Sequence, residues 1–220
     1  MDKINNDMFV IQAGELIDGI SNKSKKNISI VISGNSIVDV KPTGELSIPS
    51  DLDYKLIDYS DKTILPGLVD SHVHLTGIGD GRSGDELSKL PDEVLAINMA
   101  NNAKKHLHSG VTTVRDCGAK NDTAFHLRTA AEMGIVESPR LVLSGRPLAI
   151  IGGHLSYFGE QITGVNECRA AVRYLIKQGA DFIKVTASGG STKTSFPLKP
   201  SFSQQELNVI VEEAHKFGKH

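Results

Sequence analysis

The chain has 220 residues, with 24 Lys and Arg against 26 Asp and Glu, eight His, two Cys and no Trp. A formal charge of −2 and a pI of about 6.4 argue against a nucleic acid or an anionic membrane as the main partner. No apolar run reaches the roughly 20 residues of a membrane span, and the N-terminus lacks the basic-then-apolar pattern of a signal peptide. Cys117 and Cys168 fit no CxxC or disulfide framework, so a reducing cytoplasm is the default location.

Residues 1–63 hold short β-rich runs (Phe9–Ile11, Ile28–Ile32, Ser36–Val40, Lys55–Asp58) with a hairpin-type Gly34-Asn35 turn between the second and third. They read as a small antiparallel β unit. From Ile64 to His220 the rhythm becomes strand then helix, four times over. Strands are expected at Ile64–Leu75, Val111–Asp116, Arg140–Ser144 and Asp181–Ala187. The first helix carries Asp92 and Glu93 in its first turn, Ala96, Ala100, Ala103 and Leu107 at helical spacing, and Gly110 as its stop. The second runs from Asp122 to Gly134 and the third from Asn166 to Gly179. The fourth opens on the capping box Ser203-Gln204-Gln205-Glu206, places Leu207, Ile210, Val211 and Ala214 on one face, and stops at Gly218. Alternating strands and helices imply a parallel sheet covered by helices, either a (β/α) barrel or a doubly wound fold.

Two segments carry the strongest chemical signals. In Leu65-Pro66-Gly67-Leu68-Val69-Asp70-Ser71-His72-Val73-His74-Leu75, strand alternation puts Asp70, His72 and His74 on one face. Two imidazoles spaced about 7 Å along a strand can converge on one divalent cation; a chance His pair on a surface strand has the same pattern. In Asp181–Ala187, Lys184 interrupts an apolar strand and shares a face with Phe182 and Thr186. Desolvation favours a neutral lysine amine, which takes up carbon dioxide as a carbamate able to bridge metals. An edge-strand or snorkelling lysine is the plain alternative. His72, His74 and Lys184 all lie near strand C-terminal ends, where barrel enzymes gather active-site side chains.

The remaining candidates are weaker. His154 follows the third strand and either faces substrate or stabilises its loop. Arg115 and Asp116 end the second strand as an inner ion pair or as groups supporting metal ligands, a role open to Asp70 as well. Ser188-Gly189-Gly190 brings backbone close to substrate or simply turns. His106, His108 and His126 read as solvent contacts on helices, and Cys117 as packing. Gly79-Asp80-Gly81-Arg82-Ser83-Gly84 satisfies GxGxxG, but lies too far from both the strand end and the helix start, and lacks the acidic residue, for a dinucleotide fingerprint.

Together, "ILPGLVDSHVHL", "GVTTVRDCG", "GGHLSYFG", "GADFIKVTASGG" and "FSQQELNVIVEEAHKFGK" resemble the amidohydrolase superfamily, most closely its imidazolonepropionase-like and Xaa-Pro-dipeptidase-like metal-dependent hydrolases. The resemblance spans residues 64–219. It implies an α/β fold: the first half of a (β/α)8 TIM-type metallo-hydrolase barrel, about four βα units over residues 64–220, preceded over residues 1–63 by a segment of a composite β-sandwich. It implies His72 and His74 as ligands of a divalent metal (one or two ions, zinc foremost) and Lys184 as a carboxylated, metal-bridging lysine. The implied chemistry is hydrolysis of a carbon–nitrogen bond in an amide, cyclic amide or dipeptide by metal-activated hydroxide. The superfamily's later ligands fall beyond His220, itself too early to be one, and His215 sits on a helix. The expectation is therefore a fragment with little activity alone, acting on a small molecule once completed. The alternative is a non-catalytic truncated or split half-barrel that binds metal weakly and associates through its open edges.

Overall fold

The computed structural model describes residues 8–49, 52–190 and 196–220, and the chain divides into two compact units between Pro66 and Gly67. In the first unit, β1 (Met8–Leu16), β2 (Lys25–Ser33), β3 (Ser36–Pro42) and β4 (Lys55–Ile64) form one sheet in the order β3-β2-β1-β4. Leu16, Ile28 and Ile30 are buried together, with Ile11, Ile32 and Ile64 packed against them. The β1–β2 and β2–β3 pairs are antiparallel, but β4 lies parallel to β1, so the expected antiparallel unit is a mixed sheet. Local turn signals report only sequence-adjacent hairpins. The β1–β4 pairing forms after the chain crosses back over β2 and β3, and no turn encodes it.

In the second unit β5 (Leu68–Val73), β6 (Val111–Asp116) and β7 (Arg140–Leu143) form a parallel sheet in chain order. The single strand expected over Ile64–Leu75 is divided between β4 and β5. Pro66 has no amide to give a ladder, and Leu68 N begins the new strand by donating to Gly110 O at 2.9 Å. Short β8 (Leu148–Ala149) and β9 (Glu160–Gln161) pair alongside.

The strand expected at Asp181–Ala187 is an extended segment with a single parallel bridge, Val185 to Leu148. It occupies a fourth strand's place. Asp181 N donates to Leu143 O (2.8 Å), Lys184 O accepts from Leu148 N (2.8 Å), and Thr186 N donates to Leu148 O (3.0 Å). Its neighbour is interrupted at Gly145-Arg146-Pro147, where Pro147 has no donor, so no continuous ladder forms. On its other side Ile183 N donates to His220 O at 2.7 Å.

The helices are α1 (Gly84–Leu87), α2 (Asp92–His108), α3 (Thr123–Glu132), α4 (Gly164–Lys177) and α5 (Gln204–Lys216). α1 was not expected from periodicity, being a single turn, yet it carries its own capping box between Ser83 and Glu86. α2 buries Leu95, Met99 and Ala103, a face turned by one residue from the expected alanine stripe. α5 buries Val209, Ile210, Glu213 and Ala214 and leaves Val211 exposed. These faces close a core around Leu75, Val114, Leu143, Leu148, Val172 and Leu175. Buried Glu213 accepts from Arg173 Nε at 2.5 Å and lies 3.4 Å from Lys216 Nζ, tying α5 to α4.

Candidate metal centre at the strand ends

His72, His74, His154 and Lys184 line one cavity of about 560 Å³ at the C-terminal ends of β5 and the 181–187 segment. The His72 and His74 rings are 5.6 Å apart between centroids and tilted 60° to each other. Asp70 accepts the His72 amide through Oδ1 at 3.2 Å, and the β5 register shifts between Asp70 and Val73, so the expected alternation is not continuous from Asp70 to the histidines. His74 Nδ1 lies 2.9 Å from Gly118 O. A carbonyl only accepts, so this nitrogen carries the proton and Nε2 keeps its lone pair, the tautomer a metal ligand requires.

Burial holds all three imidazoles below their ordinary range. The Lys184 charge pushes the same way on each; for His74 the Gly118 carbonyl opposes. All three are therefore neutral at pH 7. Among the described residues, no group of three or more His, Cys, Asp or Glu gathers into a metal cage. The donors fit a metal as one open half of a coordination sphere: two imidazoles, with Lys184 lining the same cavity.

The turn carrying His74 is fixed from two directions. Fully buried Asp116, at the end of β6, accepts Leu75 N through Oδ2 (2.8 Å) and Gly118 N through Oδ1 (3.0 Å). These are the residue after His74 and the residue whose carbonyl orients it. Burial lifts the Asp116 carboxyl to about 6 while the two amides restrain it, so it is ionised at neutral pH. From α2, Asn102 Nδ2 donates to Leu75 O (2.8 Å) and Gly77 O (2.5 Å), and Asn98 Nδ2 to Thr76 O (3.1 Å). Sequence reasoning missed both asparagines. The signal was present, since a pair of Asn four apart inside a helix is unfavourable unless the side chains have other work. Gly118 itself has φ +151°, and a Cβ there would stand 3.3 Å from His74 Cε1 and 3.1 Å from Pro147.

Asp116 and Arg115 form no ion pair, which corrects one of the two readings of that dipeptide. Adjacent strand residues point to opposite faces. The Arg115 guanidinium instead stacks on Phe182, 3.6 Å from the ring centroid, with Nη1 3.6 Å from Cys117 Sγ. As expected, Phe182 and Thr186 are buried on either side of half-buried Lys184. His154 faces the cavity, and Gly190 makes room for it: a Cβ on Gly190 would fall 2.6 Å from His154 Nδ1. Tyr157, also unforeseen, lines the opposite wall and packs edge-on against Phe158 at 5.0 Å. His106 and His108 bond to Asn102 O and Glu137 away from the cavity, and His126 is exposed. Cys117 and Cys168 are buried free thiols, both pushed up by burial.

A parallel sheet with paired histidines at the C-terminal end of its first strand, and helices packed around it, is a mixed α/β arrangement that places side chains where such folds keep their sites. The amidohydrolase family model matches residues 63–220, and the chain belongs to that family, whose characterised relatives here are hydrolytic enzymes. Ochratoxinase from Aspergillus niger is 31% identical over 238 residues, covering 93% of this chain and 47% of that protein. The crystal structure of a Xaa-Pro dipeptidase with methionine bound in its active site superposes with a TM-score of 0.84 at 34% identity, covering 97% of this chain and 55% of that one. A prolidase complexed with N-methylphosphonate-L-proline gives a TM-score of 0.86 at 28% identity, again over 97% and 55%. The chain thus spans about half the length of the relatives it matches. Among the described residues no helix is long and apolar enough to cross a membrane.

Proposed function

We propose that this chain supplies one half of the active site of a metal-dependent amidohydrolase that cleaves a carbon–nitrogen bond in an amide, cyclic amide or dipeptide. His72 and His74 would hold a divalent ion, zinc foremost, and Lys184 would join them as a carbamate. The observation that carries this reading is the His74–Gly118 bond, which presents a neutral Nε2 beside a second neutral imidazole in an open cavity. A metal held there would polarise the scissile carbonyl and lower the pKa of bound water.

The chain's own residues supply orientation. Asp116, Asn98 and Asn102 fix the His74 turn, His154 offers a neutral imidazole to substrate, and Tyr157 with Leu155 forms an apolar wall. Residues 1–63 would be the first part of a composite β-sandwich, and further βα units, as in the longer relatives, would complete the barrel and the ligand set. Two buried free thiols suit a reducing, cytoplasmic setting.

The test is metal stoichiometry and affinity of the 220-residue chain, read by competition with a chromogenic chelator. His72→Ala or His74→Ala should weaken zinc binding by more than about tenfold, with CD spectra unchanged. Unchanged binding in both variants would remove the site. A panel of dipeptides and lactams addresses turnover, which is expected to be slight for this chain alone; robust hydrolysis abolished by His72→Ala would show that no further units are needed. The exposed β5 edge favours one second reading, a split half-barrel that works only with a partner chain.

A further inference from the structure

Arg115 and Lys184 are two cations whose charges both act on His72 and on Cys117, without an acid to match them. Arg115 reaches across from β6 to stack on Phe182, at 3.6 Å from the ring centroid, and Phe182 lies two residues before Lys184 on the same side of the extended segment. Among the described residues, no carboxylate stands within 4.0 Å of either side chain. No Asp or Glu lines the cavity that Lys184 faces. The hydrogen-bond partner of Arg115 is the Cys117 sulfur at 3.6 Å, a weak acceptor for a guanidinium. Elsewhere in this unit half-buried arginines do find carboxylates: Arg128 meets Asp181 at 3.0 Å, and Arg146 meets Glu160. An arginine left without an anion in a half-buried site is an electrostatic vacancy for one.

Building on the role proposed for Lys184, we infer that Arg115 is a positioning residue that supplies the counter-charge for a carbamate on Lys184. The bond formed joins Lys184 Nζ to the carbon of carbon dioxide; the ammonium gives up two protons to solvent, and one negative charge remains on the carbamate oxygens. This replaces one of two like charges around His72 and Cys117 with an opposite one. It also explains why the Arg115 partner is an aromatic face and a thiol: neither competes for the charge, and the stack fixes the guanidinium plane. A carbamate on an unassisted lysine reverts easily, so a fixed cation nearby shifts the equilibrium toward the adduct.

The test is 13C NMR of the 220-residue chain at fixed pH with 13C-bicarbonate and zinc. The wild-type chain should show a carbamate resonance that Lys184→Arg lacks, which assigns it. Arg115→Met should reduce its intensity about tenfold, and Arg115→Lys, which restores charge but not the planar stack, should recover most of it. A role confined to stacking predicts instead that Arg115→Lys behaves like Arg115→Met. Should Arg115→Met lose its native CD spectrum, Arg115→Gln, which keeps a planar group over Phe182, takes its place under the same criterion. A carbamate signal equal to wild type in the charge-neutral variant, or an Arg115→Lys signal as weak as Arg115→Met, overturns the role of Arg115 and leaves that of Lys184 standing. No carbamate in the wild-type chain overturns both.

Discussion

Asp116 shows how one side chain can set the geometry of a site it does not enter. Its two oxygens accept the amides of Leu75 and Gly118, and those residues flank His74, one along the chain and one through the Gly118 carbonyl. Asp116→Asn keeps the shape but gives one oxygen for two amides, leaving a buried donor unmet at a cost of about 1–3 kcal/mol. The carboxyl also sets a pH dependence. Its value is about 6 in the fold against 3.8 when exposed, so between these values the native state binds more protons than the unfolded one. Stability from this group is therefore fully present below about pH 4 and lost as pH rises through about 6, by about 3 kcal/mol. Urea unfolding of the metal-free chain between pH 4 and 7 should show the wild type losing more stability with rising pH than Asp116→Asn does, by about 3 kcal/mol; parallel profiles would refute it. At this scale the sequence was legible where chemistry repeats at short spacing. His72, His74 and Lys184 stand out by residue type against their strands. Asn98, Asn102 and the Gly118 carbonyl do not, because they act on the site from positions 24 to 44 residues away from His74 along the chain.

Among the elements, α5 is the one whose start the sequence specifies most fully. Ser203 Oγ accepts Glu206 N (3.3 Å), and Glu206 returns the bond to Ser203 N (2.8 Å). The structure adds a contact that the local motif does not contain: the second Glu206 oxygen accepts Gly164 N at 2.7 Å, at the first residue of α4. The cap of one helix therefore also caps its neighbour. Ser203→Ala should cost about 1 kcal/mol, as an ordinary N-cap does. Glu206→Ala should cost more, because the amides at the start of two helices lose their acceptor; equal losses in chemical unfolding would show that the α4 contact contributes nothing. Helix ends were legible where a capping box or a glycine marks them, at Ser203, Gly110, Gly134 and Gly218. Strand pairing was not. The parallel β1–β4 pair closes over a long crossover, and the 181–187 segment lost its ladder to Pro147 of a neighbour, which is invisible from within either segment alone. The turn α1 was hidden inside a glycine-rich stretch, where the Ser83–Glu86 box was its one readable mark.

At the scale of the whole 220-residue chain, the telling feature is that among the described residues no strand pairs with the outer edge of β5. β5 pairs with β6 on one side, and Leu68 and Val69 are 57% and 67% exposed. Parallel sheets are ordinarily covered on both faces, and a free apolar edge is a template for another strand. On the other side the 181–187 segment already gives its Ile183 amide to His220 O, so the unsatisfied edge is β5. Self-association of the purified 220-residue chain should therefore run through β5. Sedimentation velocity at rising concentration should show a growing dimeric or larger fraction. Val69→Lys places a charge where the strand is most exposed and should return the chain to monomer. A wild-type chain that stays monomeric at high concentration would refute association. Association that persists unchanged in Val69→Lys would place the contact elsewhere, on the exposed faces of the helices or of the N-terminal sheet. If strand addition at β5 is how the site gains its missing wall, the same substitution should also abolish any gain in hydrolysis on adding a complementing half-barrel, while leaving the His72–His74 pair able to bind metal.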